Sequence, residues 1–300
     1  MDKPKVAVIT RTKNRKVLLS RALDSVLEQR FTDWIHVIVN DGGDPAEVEA
    51  LLAPLRVRYG DRLKLIHHER SKGMEAASNA GIHASDSDYV VIHDDDDSWH
   101  PEFLAECVEY LEHNATIQGL AGVVTHSQRV LEDVEDGRIV NVVRLPYNNW
   151  LRGLSLFRMA ASNSFPPISF VFKRAILADV GYFREDLPVL GDWDFHLRVL
   201  RKYDLGLIAR ELAYYHFRRD STHGEYSNTV TGAVDKHLLY DTLLRNEWLR
   251  KDLDSGRIGL GMLVNVAKSF EELRALAGAN TAFSYVKDKV YNLAKKARLL

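Results

Sequence analysis

Asp94, Asp95, Asp96 and Asp97 stand in a row directly behind an apolar run, residues 89–93 (YVVIH), and shortly before Pro101. At about 5 Å each like-charged pair repels by roughly 1–3 kcal/mol, so something positive is expected to offset the cluster. If strand geometry continues into the run, its period of two points Asp94 and Asp96 one way and Asp95 and Asp97 the other. Two carboxylates on one side suit a hard divalent ion that keeps open positions for phosphate oxygens. A solvated acidic loop is the plainer alternative. A second feature is Asn40-Asp41-Gly42-Gly43, which closes another apolar run. Asp41 can accept a hydrogen bond from a base or ribose, and the glycines let backbone approach a ligand. An ordinary strand–turn–helix connection reads the same way. The third is Gly191-Asp192-Trp193. Asp192 can cap a helix near its positive end and, held ionised there, take a proton from a hydroxyl. A simple N-cap aspartate needs no chemistry.

These residues need a frame that brings chain ends together. Residues 5–10 (KVAVIT), 34–39 (WIHVIV), 63–67 and 89–93 read as short buried strands. Between them, Leu19, Ala22, Leu23 and Val26 recur at helical spacing, and helical stretches follow near 47–59 and 74–83. Pro101 precedes a helix with Phe103, Leu104, Cys107, Val108 and Leu111 on one face. Repeated strand–helix–strand units imply an α/β fold with a mostly parallel, Rossmann-like central sheet flanked by helices. Ligands in such sheets bind beyond the carboxyl ends of the strands, where the first two features fall. The middle third is less regular: strands are expected over 120–130, 138–144 and 168–172, a loop with a short helix over 148–167, and a helix over 192–202. From about 231 the pattern is helical only.

Composition narrows the function. The 300 residues carry 40 Lys plus Arg against 42 Asp plus Glu, a net charge of −2, so no global basic field points to nucleic acid. A hydrophobic content of 46% is enough for a sizeable core. The lone Cys107 excludes an internal disulfide framework, and a cytoplasmic setting is expected. No apolar run reaches the ~18 residues of a membrane span, and the N-terminus has no signal-peptide pattern.

The features occur together in the order used by the inverting family 2 glycosyltransferases of the GT-A fold, which the sequence resembles over roughly residues 4–220. VAVITRTKNR is similar to that family's first strand and Thr-x-Asn turn, VIVNDGG to its nucleotide-contacting turn, and SKGMEAASNAGI to its Ala-x-Asn helix. VIHDDDDSWHPEFL resembles its DXD segment, and FVFKRAILADVGYF with GDWDFHLRVL its acceptor-side and catalytic elements. The resemblance implies a GT-A domain over 1–230, with a nucleotide-binding half (1–115) and an acceptor-binding half (116–230), and a helical C-terminal extension over 231–300. It implies nucleotide-sugar contacts by Thr12, Asn14, Asp41, Asn79, Asp94 and Asp95, Mn²⁺ or Mg²⁺ on Asp96, and Asp192 as general base. The implied donor is a UDP-, dTDP- or GDP-linked sugar. The implied acceptor is a glycan or lipid-linked saccharide, as in bacterial surface polysaccharide synthesis.

Three positions depart from the family pattern. The aromatic residue that commonly follows the Thr is Lys13, the Arg often found in the Ala-x-Asn segment is Ser78, and the acidic residue usually preceding the base is Gly191. His216 is the expected third metal ligand, with His223 the other choice; Arg218 and Arg219 could pair with phosphate instead. Trp99 and Trp193 read equally as sugar-stacking or core residues. The stretch 286–300 carries five basic residues and one acidic, which invites contact with the inner face of a membrane; a solvated terminal helix fits it as well. A non-catalytic sugar-nucleotide or glycan-binding module and a metal-dependent nucleotidyltransferase are the competing functions.

Overall fold

A computed structural model describes residues 3–135, 138–218, 234–274 and 276–277. By compactness the chain divides into two units, Met1–Tyr240 and Asp241–Leu300. The first unit is built on one nine-stranded sheet. Strands β1 (Val6–Thr12), β2 (Trp34–Asp41), β3 (Leu63–His68) and β4 (Tyr89–Asp94) lie side by side in the order β3-β2-β1-β4, all parallel. Val6, Ala7, Val8 and Ile9 are fully buried on both faces, as a continuous apolar central strand requires. The helices between them are α1 (Lys16–Leu27), α2 (Pro45–Leu52) and α3 (Met74–His83). Leu19, Leu23 and Val26 of α1 pack with Val6, Val8, Trp34 and Ile38 in one core cluster.

The second half of the sheet is mixed rather than parallel. After the two-residue strand β5 (Ser98–Trp99) and helix α4 (Phe103–His113) come β6 (Leu120–Glu135), β7 (Arg138–Pro146), helix α5 (Leu156–Ala161) and β8 (Phe170–Lys173). β8 inserts antiparallel between β4 and β6. Helix α6 (Gly191–Leu200) then leads into β9 (Asp204–Arg218), which pairs parallel with β6 and antiparallel with β5. The sequence pattern gave no sign of β9, because its pairing with β6 shifts register twice near His126 and hides a clean alternation. Cys107 packs in the core on α4, where burial pushes its thiol up. Trp99 and Trp193 are core residues, each donating its indole N–H to a buried carbonyl, of Ile168 and Met159 respectively.

Helix α7 covers Val234–Asp254. In the second unit its face carries the i,i+4 pairs Arg245–Asp241 and Lys251–Glu247, while Leu260, Met262 and Phe270 further along are exposed. No helix among the described residues is long and apolar enough to cross a membrane. The basic stretch 286–300 and the expected positions His223 and Arg219 lie outside the described residues.

Candidate active site

A cleft of about 850 Å³ opens at the carboxyl ends of β1, β2 and β4, within the size range of small-molecule sites. It is lined by Thr12, Lys13, Asn14 and Arg15 from the first loop, Asp41 from β2, Asp94, Asp95 and Asp96 from the acidic run, and Asp192 from α6. Residues far apart in sequence thus meet where strand geometry delivers them. Asn79 and His216 do not line it.

The acidic run does not keep strand geometry. β4 ends at Asp94, and Asp97 N–H donates to the Asp94 carbonyl at 3.2 Å. That turn brings three successive carboxylates to the cleft and tucks Asp97 beneath it, fully buried, accepting from the His216 backbone N–H at 2.8 Å. Burial and the neighbouring Asp96 and Asp94 charges push the Asp97 carboxyl well above the usual range.

The positive charge expected beside this cluster comes from arginines. Arg11 donates Nε–H to Asp94 at 2.9 Å, with its Nη2 also 2.9 Å away. Arg15 reaches Asp95 at 3.1 Å and Asp96 at 3.5 Å. Arg218, whose side chain is fully buried, pairs with Asp96. Arg21 donates to the Asp96 carbonyl and doubly to Glu132, at 3.0 and 2.8 Å. The consequences differ along the run. Burial raises Asp94 above its ordinary value and pushes Asp95 up to about 6. Burial acts on Asp96 too, yet Arg218 and Arg15 hold it below the ordinary carboxylate range. Asp96 is therefore the member best kept ionised.

A divalent cation fits this donor set. Among the described residues no group of three His, Cys, Asp or Glu could hold a metal alone. Mg²⁺-like ions, however, commonly take one or two carboxylates plus substrate phosphates. Asp96 offers the ionised carboxylate, and Asp94 lines the same cleft.

His216 does not take the expected ligand position. Alternation along β9 turns Tyr215 and Phe217 into the cleft and His216 away from it. Its ring is 2.8 Å from Glu132 through Nδ1 and 2.8 Å from Ser98 Oγ through Nε2. Burial holds its pKa below the ordinary value. His216 therefore supports the buried Glu132 that Arg21 and Arg218 also approach. Asn79 likewise points away from the cleft. Its amide donates to the Phe183 carbonyl and to Glu185, both at 2.9 Å, and accepts from Phe183 N–H at 3.1 Å, which latches α3 to the segment before α6.

Asp41 lines the cleft with its carboxylate already engaged. His68, the Lys72 N–H, the Ser71 hydroxyl and the Gly73 N–H surround it at 2.8, 2.8, 2.7 and 3.0 Å. Burial opposes its charge, but these donors pull its pKa below the ordinary value. Asp41 thus folds the loop bordering the cleft. The adjacent Gly42 adopts φ +75°, and a Cβ there would stand 2.3 Å from Ser71 N. The glycine permits close approach of chain to chain. Asn14, at φ 52°, accepts from Asp44 N–H at 3.0 Å and closes the opposite loop, while Thr12 lines the cleft.

Asp192 stands on the first turn of α6 and accepts from Asn163 Nδ2–H at 2.8 Å. Burial raises its pKa, only partly offset by the Trp193 N–H, Asn163, Arg11 and His237. The chain enters α6 through Leu190 in the left-handed region at φ 63°, which costs roughly 1–2 kcal/mol for a non-glycine residue. Tyr147, Phe165, Tyr215 and Phe217 supply aromatic walls. Sequence reasoning missed Tyr147 and Phe165, and only strand parity on β9 would have singled out Tyr215 and Phe217.

Glu75 was also missed. It is 4% exposed, yet it lines the cleft from α3. Burial pushes its carboxyl up to about 7, with Arg11 pulling back and Asp192 and Asp94 pushing further. Because this folded value exceeds the ordinary 4.5, the folded chain keeps a proton that the unfolded chain has lost between those values. Folding stability from this group therefore falls as pH rises from about 4.5 to 7. Glu75→Gln is expected to remove that slope. Relative to the parent, it should gain about 3 kcal/mol between pH 4.5 and 8 in denaturant titrations; an unchanged slope would refute the burial of this charge.

The comparisons with known proteins converge on one class. A family model described as glycosyl transferase family 2 matches residues 7–177, and the chain belongs to that family. "Uncharacterized glycosyltransferase YwdF" of Bacillus subtilis is 24% identical over 238 residues, 78% of this chain and 81% of the relative. "Putative colanic acid biosynthesis glycosyl transferase WcaA" of Escherichia coli is 26% identical over 207 residues, 67% and 68% of the two chains. Among solved structures, the mannosyltransferase PcManGT of Pyrobaculum calidifontis, in complex with GDP-Man and Mn²⁺, matches with a TM-score of 0.53 and 19% identity. It covers 73% of this chain, which spans 59% of that one. The fold is GT-A, and the protein is a glycosyltransferase.

Proposed function

We propose that the protein transfers a sugar from a nucleotide-linked donor to a hydroxyl of a glycan or lipid-linked acceptor, with inversion at the anomeric carbon. The observation that carries this reading is Asp192 facing the same cleft as Asp94, Asp95 and Asp96. A base and a leaving-group anchor facing one cavity are what a single displacement needs. Asp41 and the first loop border the nucleotide. Asp96, with Asp94, would hold Mn²⁺ or Mg²⁺, which when bound neutralises charge on the departing diphosphate. Asp192 accepts the acceptor hydroxyl proton at its carboxylate, and its raised pKa makes it a stronger base than an exposed aspartate. Asn163 orients that carboxylate. Tyr147, Tyr215 and Phe217 exclude water from the same space. The likeness to WcaA, named for colanic acid biosynthesis, supports a role in assembling a bacterial surface polysaccharide, and the Mn²⁺ complex of PcManGT supports the cation.

Nucleoside diphosphate release from a panel of UDP-, dTDP- and GDP-sugars, with Mn²⁺ present, tests the reading. One donor class is expected to turn over, and chelation with EDTA to abolish that turnover. Failure of every donor would leave the cleft a binding site only; turnover that survives EDTA would remove the cation from the account.

A further inference from the structure

Gly191 sits at the entrance to α6, directly before Asp192, and the space its side chain would fill is taken. A Cβ built on it would lie 2.4 Å from Glu75 Cδ and 2.4 Å from Glu75 Oε1. The Glu75 carboxyl therefore rests flush on the first turn of the helix that carries Asp192. Among the described residues its side-chain polar contact is a long one, from Arg11 Nη1–H to Oε2 at 3.5 Å. The same Arg11 nitrogen donates to Ser78 Oγ at 2.9 Å, and the guanidinium spans to Asp94. Ser78 and Gly191 are two of the positions where the sequence departs from the family it resembles. A guanidinium from β1 and a carboxyl from α3 fill the space at both.

We propose that Glu75 and Arg11 form a recognition pair for hydroxyls of the donor sugar and so set which sugar is transferred. The inference rests on the function proposed above. Three features carry it. The pair borders the cleft between Asp94, which Arg11 holds, and Asp192, beside which Glu75 rests. A group passing from an anchor at the acidic turn to an acceptor deprotonated by Asp192 must occupy that interval. A neutral sugar ring presents hydroxyls that donate to a carboxyl and accept from a guanidinium, so the pair matches its chemistry. Buried polar groups also discriminate strongly, because a sugar lacking the right hydroxyl leaves them unpaired.

The test is calorimetric titration of the full chain, with Mn²⁺, against UDP, dTDP and GDP. The same titrations use the epimer pairs UDP-glucose and UDP-galactose, dTDP-glucose and dTDP-galactose, and GDP-mannose and GDP-glucose. The parent protein is expected to prefer one member of a pair. Glu75→Ala should bind the bare diphosphate within about twofold of the parent, bind the preferred sugar conjugate roughly 10- to 100-fold more weakly, and lose the epimer preference. Gly191→Ala leaves Glu75 in the sequence but drives a methyl group into its carboxyl, and should give the same selective loss. Either variant, folded by circular dichroism, that keeps both affinity and epimer preference would overturn the proposal. So would equal weakening of diphosphate and sugar conjugate, which marks general damage to the cleft. A parent that binds no nucleotide and no sugar nucleotide would overturn the proposed function itself.

Discussion

Asp192→Asn is expected to lower the rate of sugar transfer by about 10²- to 10⁴-fold, the typical contribution of a positioned general base, while nucleoside diphosphate affinity stays within about twofold. The substitution preserves shape. Asn at 192 can still meet Asn163, which already holds the carboxylate at 2.8 Å, and α6 keeps its first turn. The ability to take a proton is lost. The diphosphate end of the cleft keeps the acidic turn and its arginines, because the Asp192 carboxylate hydrogen-bonds Asn163 and meets Arg11 only through its charge. The checks are kcat with the donor found by screening and a calorimetric Kd for the diphosphate. Near-full turnover would assign the base elsewhere. A parallel collapse of diphosphate affinity would show that Asp192 shapes the binding site rather than the chemistry.

Arg218→Met carries the largest expected cost in stability, roughly 3–5 kcal/mol, the usual penalty for removing one partner of a buried ion pair. The Arg218 side chain is fully buried, and it faces Asp96 together with Glu132, 3.8 Å away, whose own side chain is 1% exposed. Methionine fills much of the volume but leaves two carboxylates in a low-dielectric setting with fewer cations. Glu132 retains Arg21 and His216, and Asp96 retains Arg15, so the network is weakened rather than erased. Arg218→Lys keeps the charge without the planar fork and should recover only part of the loss. Unfolding in denaturant at pH 7 measures both. A loss below about 1 kcal/mol for the methionine variant would mean that the acidic turn does not depend on this cation.

Much of the site was legible in the chain, and the physical reason is locality. Residues 5–10, 34–39, 63–67 and 89–93 are apolar runs bounded by turn signals, and β1 to β4 form there in parallel. Asp41, Asp94, Asp95, Asp96 and Asp192 lie at strand ends or a helix start, so the carboxyl-edge rule gathers them correctly. What escaped is set by contacts between distant segments. The period of two failed within the acidic run because the backbone turns at Asp95, and only the Asp94–Asp97 hydrogen bond shows it. β9 hid behind register shifts, and with it the parity that turns His216 toward Glu132. The sequence called for positive charge beside the acidic run without locating it, and Arg11 and Arg218 supply it across 83 and 122 residues of sequence. Glu75 offered no local signal at all, since its meaning depends on an empty Cβ position at Gly191.

The measurement closest to the centre of this account is the anomeric configuration of the sugar first released. The proposed function assigns proton removal to Asp192, which faces the same cleft as the acidic turn, and so calls for a single displacement. When the enzyme turns over a donor whose sugar is α-linked, proton NMR taken before mutarotation is predicted to show the β anomer. An α product would contradict the account.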